Sequence, residues 1–278
     1  MQLKRPLPLI SLVVFLISTP VLTAQDYRIL VTNDDGINSP LLGPLVRELS
    51  RLSEVEVVVS APEENQSGSS QSSIGRTLVV TPATIEGASA AYAVRGKPAD
   101  AVRFGIVELG KEKDFDLVIS GINRGANVGE VSHLSGTVGA AMEAVYQGVP
   151  AIAVSQEVRD VDTETSAKFV AQLANLYKDK GAPEGVVISI NIPAGDLAGV
   201  AIRPMGDSYL KASAYHLQEE GEAQLSYELE FSRVAADNPR TDTYAYQQSY
   251  ITITPLKFDW TAYEFLEQAR NWNLKVAN

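Results

Sequence analysis

The sequence predicts an α/β fold, a mostly parallel sheet flanked by helices with an antiparallel hairpin arm near its C-terminus. Three observations carry this. Short apolar runs of strand length alternate with segments of helical period. Those runs are apolar on both faces, as strands covered by helices on both sides must be. Beyond Pro204 the period shortens to two residues, as in a hairpin with one solvated face.

The elements follow in order. Residues 1–24 are set aside first: Lys4 and Arg5 precede an apolar stretch from Leu7 to Ser18, then Pro20 and the small Ala24, the pattern of a secretory signal peptide. The stretch is too short, and too interrupted by prolines, for a comfortable membrane span. The expectation is a periplasmic or secreted chain with no stable membrane association after cleavage, or a cytoplasmic one if the segment does not direct export. The domain proper is expected over 25–278. Tyr27 to Thr32 reads as a buried strand. Ser39 and Pro40 then form a cap and first helical position ahead of Leu41, Leu42, Leu45, Val46, Leu49 and Leu52. Val55 to Ser60 is a second strand, ended by Ala61-Pro62 and followed by a serine-rich loop, 63–73. Ala91 to Arg95 is a short strand, Pro98 to Leu109 a helix, and Phe115 to Ser120 another buried strand. A glycine-rich segment, 121–135, leads into a helical stripe of Val138, Ala141, Met142 and Val145 that stops at Gly148. Ala151–Ser155, a helix from Thr165 to Lys180 and Val186–Asn191 repeat the strand–helix–strand unit. Gln224 to Phe231 alternates as a hairpin arm, Tyr250 to Thr254 returns as a strand, and Trp260 to Trp272 reads as a closing helix. The arm is placed at about 206–249, with Tyr244, Tyr246 and Tyr250 expected to pack it or an interface.

Composition narrows the chemistry. The formal net charge is −11, and loss of Lys4 and Arg5 would deepen it, so a nucleic-acid polymer is not an expected partner. There is no cysteine, which excludes disulfides, thiolate nucleophiles and cysteine-ligated metals. With His133 and His216 the only histidines, a metal must be held mainly by oxygen, which favours Mg²⁺ or Mn²⁺.

Polar residues of the right type follow three strand ends: Asp34 and Asp35, Ser67, and Asn123. In an open parallel sheet such ends converge on one crevice. Two carboxylates side by side repel unless a cation or a proton intervenes, and a hydroxyl and an amide carbonyl add neutral oxygens. Ser135-Gly136-Thr137 opens the following helix, and a helix N-terminus offers backbone N–H groups to an anion. A cation beside a phosphate cradle points to phosphate-ester hydrolysis, with Asp34 and Asp35 the catalytic candidates.

Five strings in order then match a family: Ile29 to Gly36 (ILVTNDDG), Asn65 to Gly68 (NQSG), Gly96 to Asp100 (GKPAD), Ser120 to Gly129 (SGINRGANVG) and Ser135 to Glu143 (SGTVGAAME). Asn191-Ile192-Pro193 and Ile251 to Leu256 extend the match over nearly the whole chain past the leader. They resemble the SurE family of metal-dependent nucleotidases. The resemblance implies a Rossmann-like core, a C-terminal arm used in dimerisation, and a homodimer or homotetramer. It implies a 5′-nucleotidase that hydrolyses nucleoside monophosphates with one divalent cation per subunit. The cation would be held by Asp34, Asp35, Ser67 and Asn123, and the phosphate by Ser135, Gly136 and Thr137 with Asn127 nearby. Two features depart from the family pattern: Leu134 replaces an aromatic residue, and Glu130-Val131-Ser132-His133 replaces a more acidic run.

Two other functions compete. A dinucleotide oxidoreductase requires Gly-x-Gly-x-x-Gly after the first strand, where this chain has Asn33-Asp34-Asp35-Gly36. A non-catalytic nucleotide-binding protein would retain the same pocket without turnover. His133 has no assigned role, and His216 is read as structural.

Overall fold

Each half of the chain supplies parallel strands to one sheet, and the point where the halves meet lies at the first strand. The computed structural model describes residues 27–221 and 224–276; the expected leader, 1–24, lies outside them. Strand β1 (Tyr27–Thr32) leads through a turn into helix α1 (Leu42–Ser50) and strand β2 (Val55–Pro62). Strands β3 (Val79–Ala83) and β4 (Ala90–Arg95) and helix α2 (Pro98–Phe104) complete this half. Strand β5 (Leu117–Arg124) then returns to the other side of β1, followed by helix α3 (Gly136–Tyr146), β6 (Ala151–Gln156), α4 (Thr163–Lys180) and β7 (Val186–Ile192). The nine-stranded order is β3-β4-β2-β1-β5-β6-β7-β11-β8, with β8 at Gly199–Ile202 and β11 at Tyr250–Lys257. From β4 to β7 all neighbours are parallel, while β3 and β11 pair antiparallel with β4 and β7. The chain reverses its direction of travel across the sheet between β1 and β5, which makes the carboxyl ends of these two strands the switch point.

Two apolar layers cover the sheet. On one face Ile29, Val31, Val57, Ile119, Val154 and Ile190 pack with Leu42, Leu45, Val46 and Leu49 of α1 and Ala167, Val170 and Ala174 of α4. On the other, Leu30, Val58, Val118, Ala151 and Val187 pack under Val138, Ala141 and Met142 of α3. Fully buried leucines and isoleucines of this kind contribute roughly 1.5–3 kcal/mol each. Side chains two residues apart share a face. Two residues beyond Leu30, Val118 and Val187 the α3 face carries Thr32, Ser120 and Ser189, which lie in one register row with Thr254 of β11. The next row holds Asn123, Ser155, Asn191 and Thr252. The face thus turns from apolar to polar at the end where α3 begins.

Several boundaries differ from the expected ones. Helix α1 starts at Leu42, because Ser39 and Pro40 lie in a preceding turn in which Ser39 Oγ accepts from Leu41 N. The edge strands β3 and β8 are additions; β3 carries Pro82, which a central strand would not tolerate. Strand β5 runs past Ser120 to Arg124 through a one-residue bulge against β6. The hairpin is β9 (Leu210–Glu220) with β10 (Leu225–Arg233), so residues 234–249 of the expected arm lie outside it. They include helix α5 (Asp242–Gln247), whose Tyr246 packs on Tyr209 and Val128 within the chain. The expected closing helix is only α6 (Leu266–Arg270), with no buried side chain to hold a longer one. Among the described residues, no helix is long and apolar enough to cross a membrane.

A buried carboxylate pins the serine-rich loop. Asp100, 1% exposed, accepts from Ser73 Oγ at 2.5 Å, Ile74 N at 3.0 Å and Lys97 N at 2.9 Å. Arg103 bridges Glu143 of α3 and Ser73. Replacing Asp100 by alanine strands those three donors, so Asp100→Ala is expected to lower stability by about 2–4 kcal/mol in urea melts and to expose residues 63–75 to limited proteolysis.

Candidate functional site

The turn after β1 is built to hold its acids in place. Asn33 is fully buried; its Nδ2 donates to the Gly36 carbonyl at 2.9 Å and its Oδ1 accepts from Gly36 N at 3.0 Å, which closes the Asn-Asp-Asp-Gly loop. Asp34 is 2% exposed and accepts from Thr137 Oγ1 at 2.5 Å. Burial raises its pKa to about 6; the Thr137 hydrogen bond opposes the rise and the neighbouring Asp35 charge adds to it. Asp35 accepts from Asn65 Nδ2 at 3.2 Å and from Arg124 N at 2.9 Å. Its pKa is also raised by burial, partly offset by the Arg124 N–H and charge. Both acids therefore sit where their charges are poorly compensated.

The other expected residues reach this turn by different routes. Asn123 arrives through the β5 bulge. Gly121 makes the bulge possible: its φ is +149°, and a Cβ there would lie 2.5 Å from the Val154 carbonyl oxygen. Asn123 Nδ2 is committed to the Gly125 carbonyl at 2.6 Å, which leaves its Oδ1 as an acceptor. Ser67 sits exposed on the loop rim, and that loop is tied to the acids by Gln66 N donating to the Asp34 carbonyl at 2.7 Å. Two carboxylates, an amide oxygen and a hydroxyl are thus carried by segments that meet at this turn; among the described residues no three His, Asp or Glu side chains cluster, so neutral oxygens would complete any coordination.

The N-terminus of α3 meets the same turn. Ser135 is its N-cap, with Oγ accepting from Val138 N at 3.1 Å. Gly136 lies so close that a Cβ would sit 2.8 Å from Asp34 Cβ, 2.9 Å from Asp34 Oδ2 and 2.7 Å from Ser69 Oγ. Thr137 serves the acid. Its hydroxyl has a single hydrogen and gives it to Asp34, so its side chain orients the acid, and its backbone N–H is what it has left to offer an anion. Asn127 lies on the polar row, its N donating to Asn191 Oδ1 at 2.7 Å and its Nδ2 to Ser155 Oγ at 2.8 Å. His133 stands on an exposed rim, edge-on to Trp260 with ring centroids 6.0 Å apart. Beside Ser135 these rings border a cavity of about 270 Å³, floored by Met142, Met205 and Leu256. His216 pairs with Glu230 on the hairpin, away from these residues.

Sequence reasoning did not single out Arg124, whose backbone N–H holds Asp35, or Ser69, one of several serines with no distinguishing pattern.

Comparison with known proteins follows the same residues. The family model described as "Survival protein SurE" matches residues 29–212. The 5′-nucleotidase SurE of Clostridium beijerinckii is 37% identical over 248 residues, covering 86% of this chain and 96% of that one. The protein of the same name from Parvibaculum lavamentivorans is 38% identical over 249 residues, covering 85% and 87%. The crystal structure of the SurE protein from Aquifex aeolicus superposes with a TM-score of 0.74 at 30% identity, covering 89% of this chain and all of that one.

The buried acid has a measurable cost. A carboxyl whose folded pKa exceeds its unfolded value binds its proton more tightly when folded, so stability declines as pH rises from about 4 through about 6 and is then flat. Asp34→Asn removes that charge while keeping an acceptor for Thr137. It is expected to stabilise the metal-free protein by on the order of 2 kcal/mol at pH 8, with the gain shrinking toward pH 4.5, as read from urea melts at the two pH values.

Proposed function

Because the chain belongs to the SurE family, we propose that it is a divalent-cation-dependent phosphomonoesterase, a 5′-nucleotidase that hydrolyses nucleoside monophosphates to nucleoside and phosphate. The observation that carries this reading is the contact of Gly136, at the N-terminus of α3, with the buried Asp34, whose carboxylate is raised in pKa beside a second, partly buried acid, Asp35. A helix N-terminus attracts the phosphate and the acids attract a cation, in one crevice at the sheet's switch point.

The donor set suits one Mg²⁺ or Mn²⁺ per subunit, with Asp34 and Asp35 as the charged ligands and Ser67 and Asn123 as the neutral ones. When bound, the cation would polarise a phosphoryl oxygen and lower the pKa of a water molecule. The chain's own residues do the rest. Thr137 fixes the orientation of Asp34, and the Arg124 N–H with Asn65 fixes Asp35. An acid that is already held in place loses little freedom on binding a cation. The Ser135 hydroxyl and the first amides of α3 would hold the phosphoryl group and stabilise the charge that develops on it, with Asn127 nearby. The cavity between His133 and Trp260 adjoins Ser135 and would take the nucleoside, with the Trp260 ring against the base.

The remaining assignments are part of the same reading. The hairpin 210–233 exposes Tyr215, Leu217, Leu225, Tyr227 and Phe231, more apolar surface than two isolated strands keep in water, and would be covered by a second copy in a homodimer or homotetramer. Export to the periplasm or beyond rests on the pattern of residues 1–24 alone.

Phosphate release from AMP and GMP with Mg²⁺ or Mn²⁺ tests the reaction. Turnover is expected in the wild type, to vanish with EDTA, and to fall at least about a hundred-fold in Asp35→Asn. Undiminished turnover in that variant or in EDTA would sink the metal mechanism, and nucleotide binding without turnover would establish a non-catalytic binding protein. For the leaving-group cavity, Trp260→Ala is expected to raise KM for AMP about five-fold or more while the rise in Tm on adding Mn²⁺ stays as in the wild type.

A further inference from the structure

The loop between β2 and β3 is folded against α3 with more force than its polar sequence suggests. Ser70 adopts a left-handed backbone, φ 51°, and both of its donors are used to pin it: its N–H donates to the Leu134 carbonyl at 3.2 Å and its Oγ to the His133 carbonyl at 2.8 Å. The preceding residue is held as firmly, with Ser69 N donating to the Gln66 carbonyl at 3.2 Å and the Ser69 carbonyl accepting from Ser72 N at 3.1 Å. This clamp drives the side chain of Ser69 inward. Its Oγ is shut off from solvent and has no hydrogen-bond partner. A buried, unpaired hydroxyl is costly, and natural proteins keep few of them.

What the hydroxyl faces gives the cost a purpose. Ser69 Oγ and Asp34 Oδ2 both lie within 2.9 Å of the position a Gly136 Cβ would occupy, so hydroxyl, carboxylate and helix start crowd together at one point, too tightly to admit even a methyl group on Gly136. Only the lack of a side chain on Gly136 lets the three come this close. On the helix side, Ser135 Oγ already accepts from Val138 N, and the Thr137 hydroxyl is committed to Asp34. Ser135 keeps its O–H hydrogen, so Ser69 joins it as a second side-chain donor for an anion at the helix start, and an acceptor with full negative charge is the partner best suited to a buried, unpaired hydroxyl.

We propose that Ser69 is a further contact residue of the reaction, its hydroxyl donating to a non-bridging oxygen of the phosphoryl group, and of the phosphate product, held at the start of α3. The inference rests on the phosphatase reading above and adds a residue to it. It also gives two positions of the serine loop different tasks: the rim residue Ser67 would serve the cation and the inward Ser69 the anion.

The test measures phosphate and metal separately. In the Mn²⁺-loaded protein, Ser69→Ala is expected to weaken binding of inorganic phosphate about ten-fold by calorimetry, and to lower kcat/KM for AMP by a similar factor. The Mn²⁺ concentration that half-saturates the rise in Tm should stay within two-fold of wild type, since the cation shell is intact. Ser69→Cys, which keeps the volume with a much weaker donor, should fall between the two. Phosphate affinity within two-fold of wild type in both variants, alongside a normal metal response and wild-type turnover, overturns the role of Ser69 and leaves the phosphatase reading standing. A wild type that neither turns over AMP nor binds phosphate with metal overturns both.

Discussion

The hydrogen bond from Thr137 to Asp34 joins the first turn of α3 to the loop after β1, and it does so across a carboxylate that burial and a neighbouring acid both oppose. Much of the local architecture manages that charge. Asn33 closes the loop so that the acids cannot swing to solvent, Arg124 presents a backbone N–H to Asp35, and Gly136 gives up its side chain so that the helix can approach. Without a cation the arrangement costs stability, which is the usual price where function needs uncompensated charge.

The sheet positions this contact. Because β1 and β5 are neighbours while their connections run to opposite sides, their carboxyl ends open a crevice that no crossover covers. The change from an apolar to a polar sheet face beneath α3 has the same origin, since residues at strand ends no longer need to fill a core. The serine loop completes the crevice only because Asp100, Arg103 and Glu143 anchor it from behind. Those groups touch neither acid, yet they determine where Ser67 and Ser69 stand.

The hairpin and the C-terminal segment answer to a different constraint. Strands β9 and β10 pair only with each other, and their aromatic and aliphatic side chains face outward. A two-stranded ribbon of this kind is marginal by itself, which is the physical ground for the proposed second copy over its apolar surface.

The alternation of buried runs and helical stripes, the strand-end acids and the glycine-capped helix start were legible in the sequence, because each depends on neighbours a few residues away. Strand β3, the bulge at Gly121 and the shortened closing helix were not, since an edge strand, a register shift and an unpacked helix are decided by what lies alongside. The same division runs through the site. Asp34 and Asp35 could be named from their position after an apolar strand, but which of the five serines of the loop faces the acids could not. Nor could it be foreseen that the Thr137 hydroxyl would hold Asp34. A side chain's type is local information; its partner is fixed by the packing of α3 against β1 and the serine loop, across more than sixty residues of chain, and only the folded structure brings those segments together.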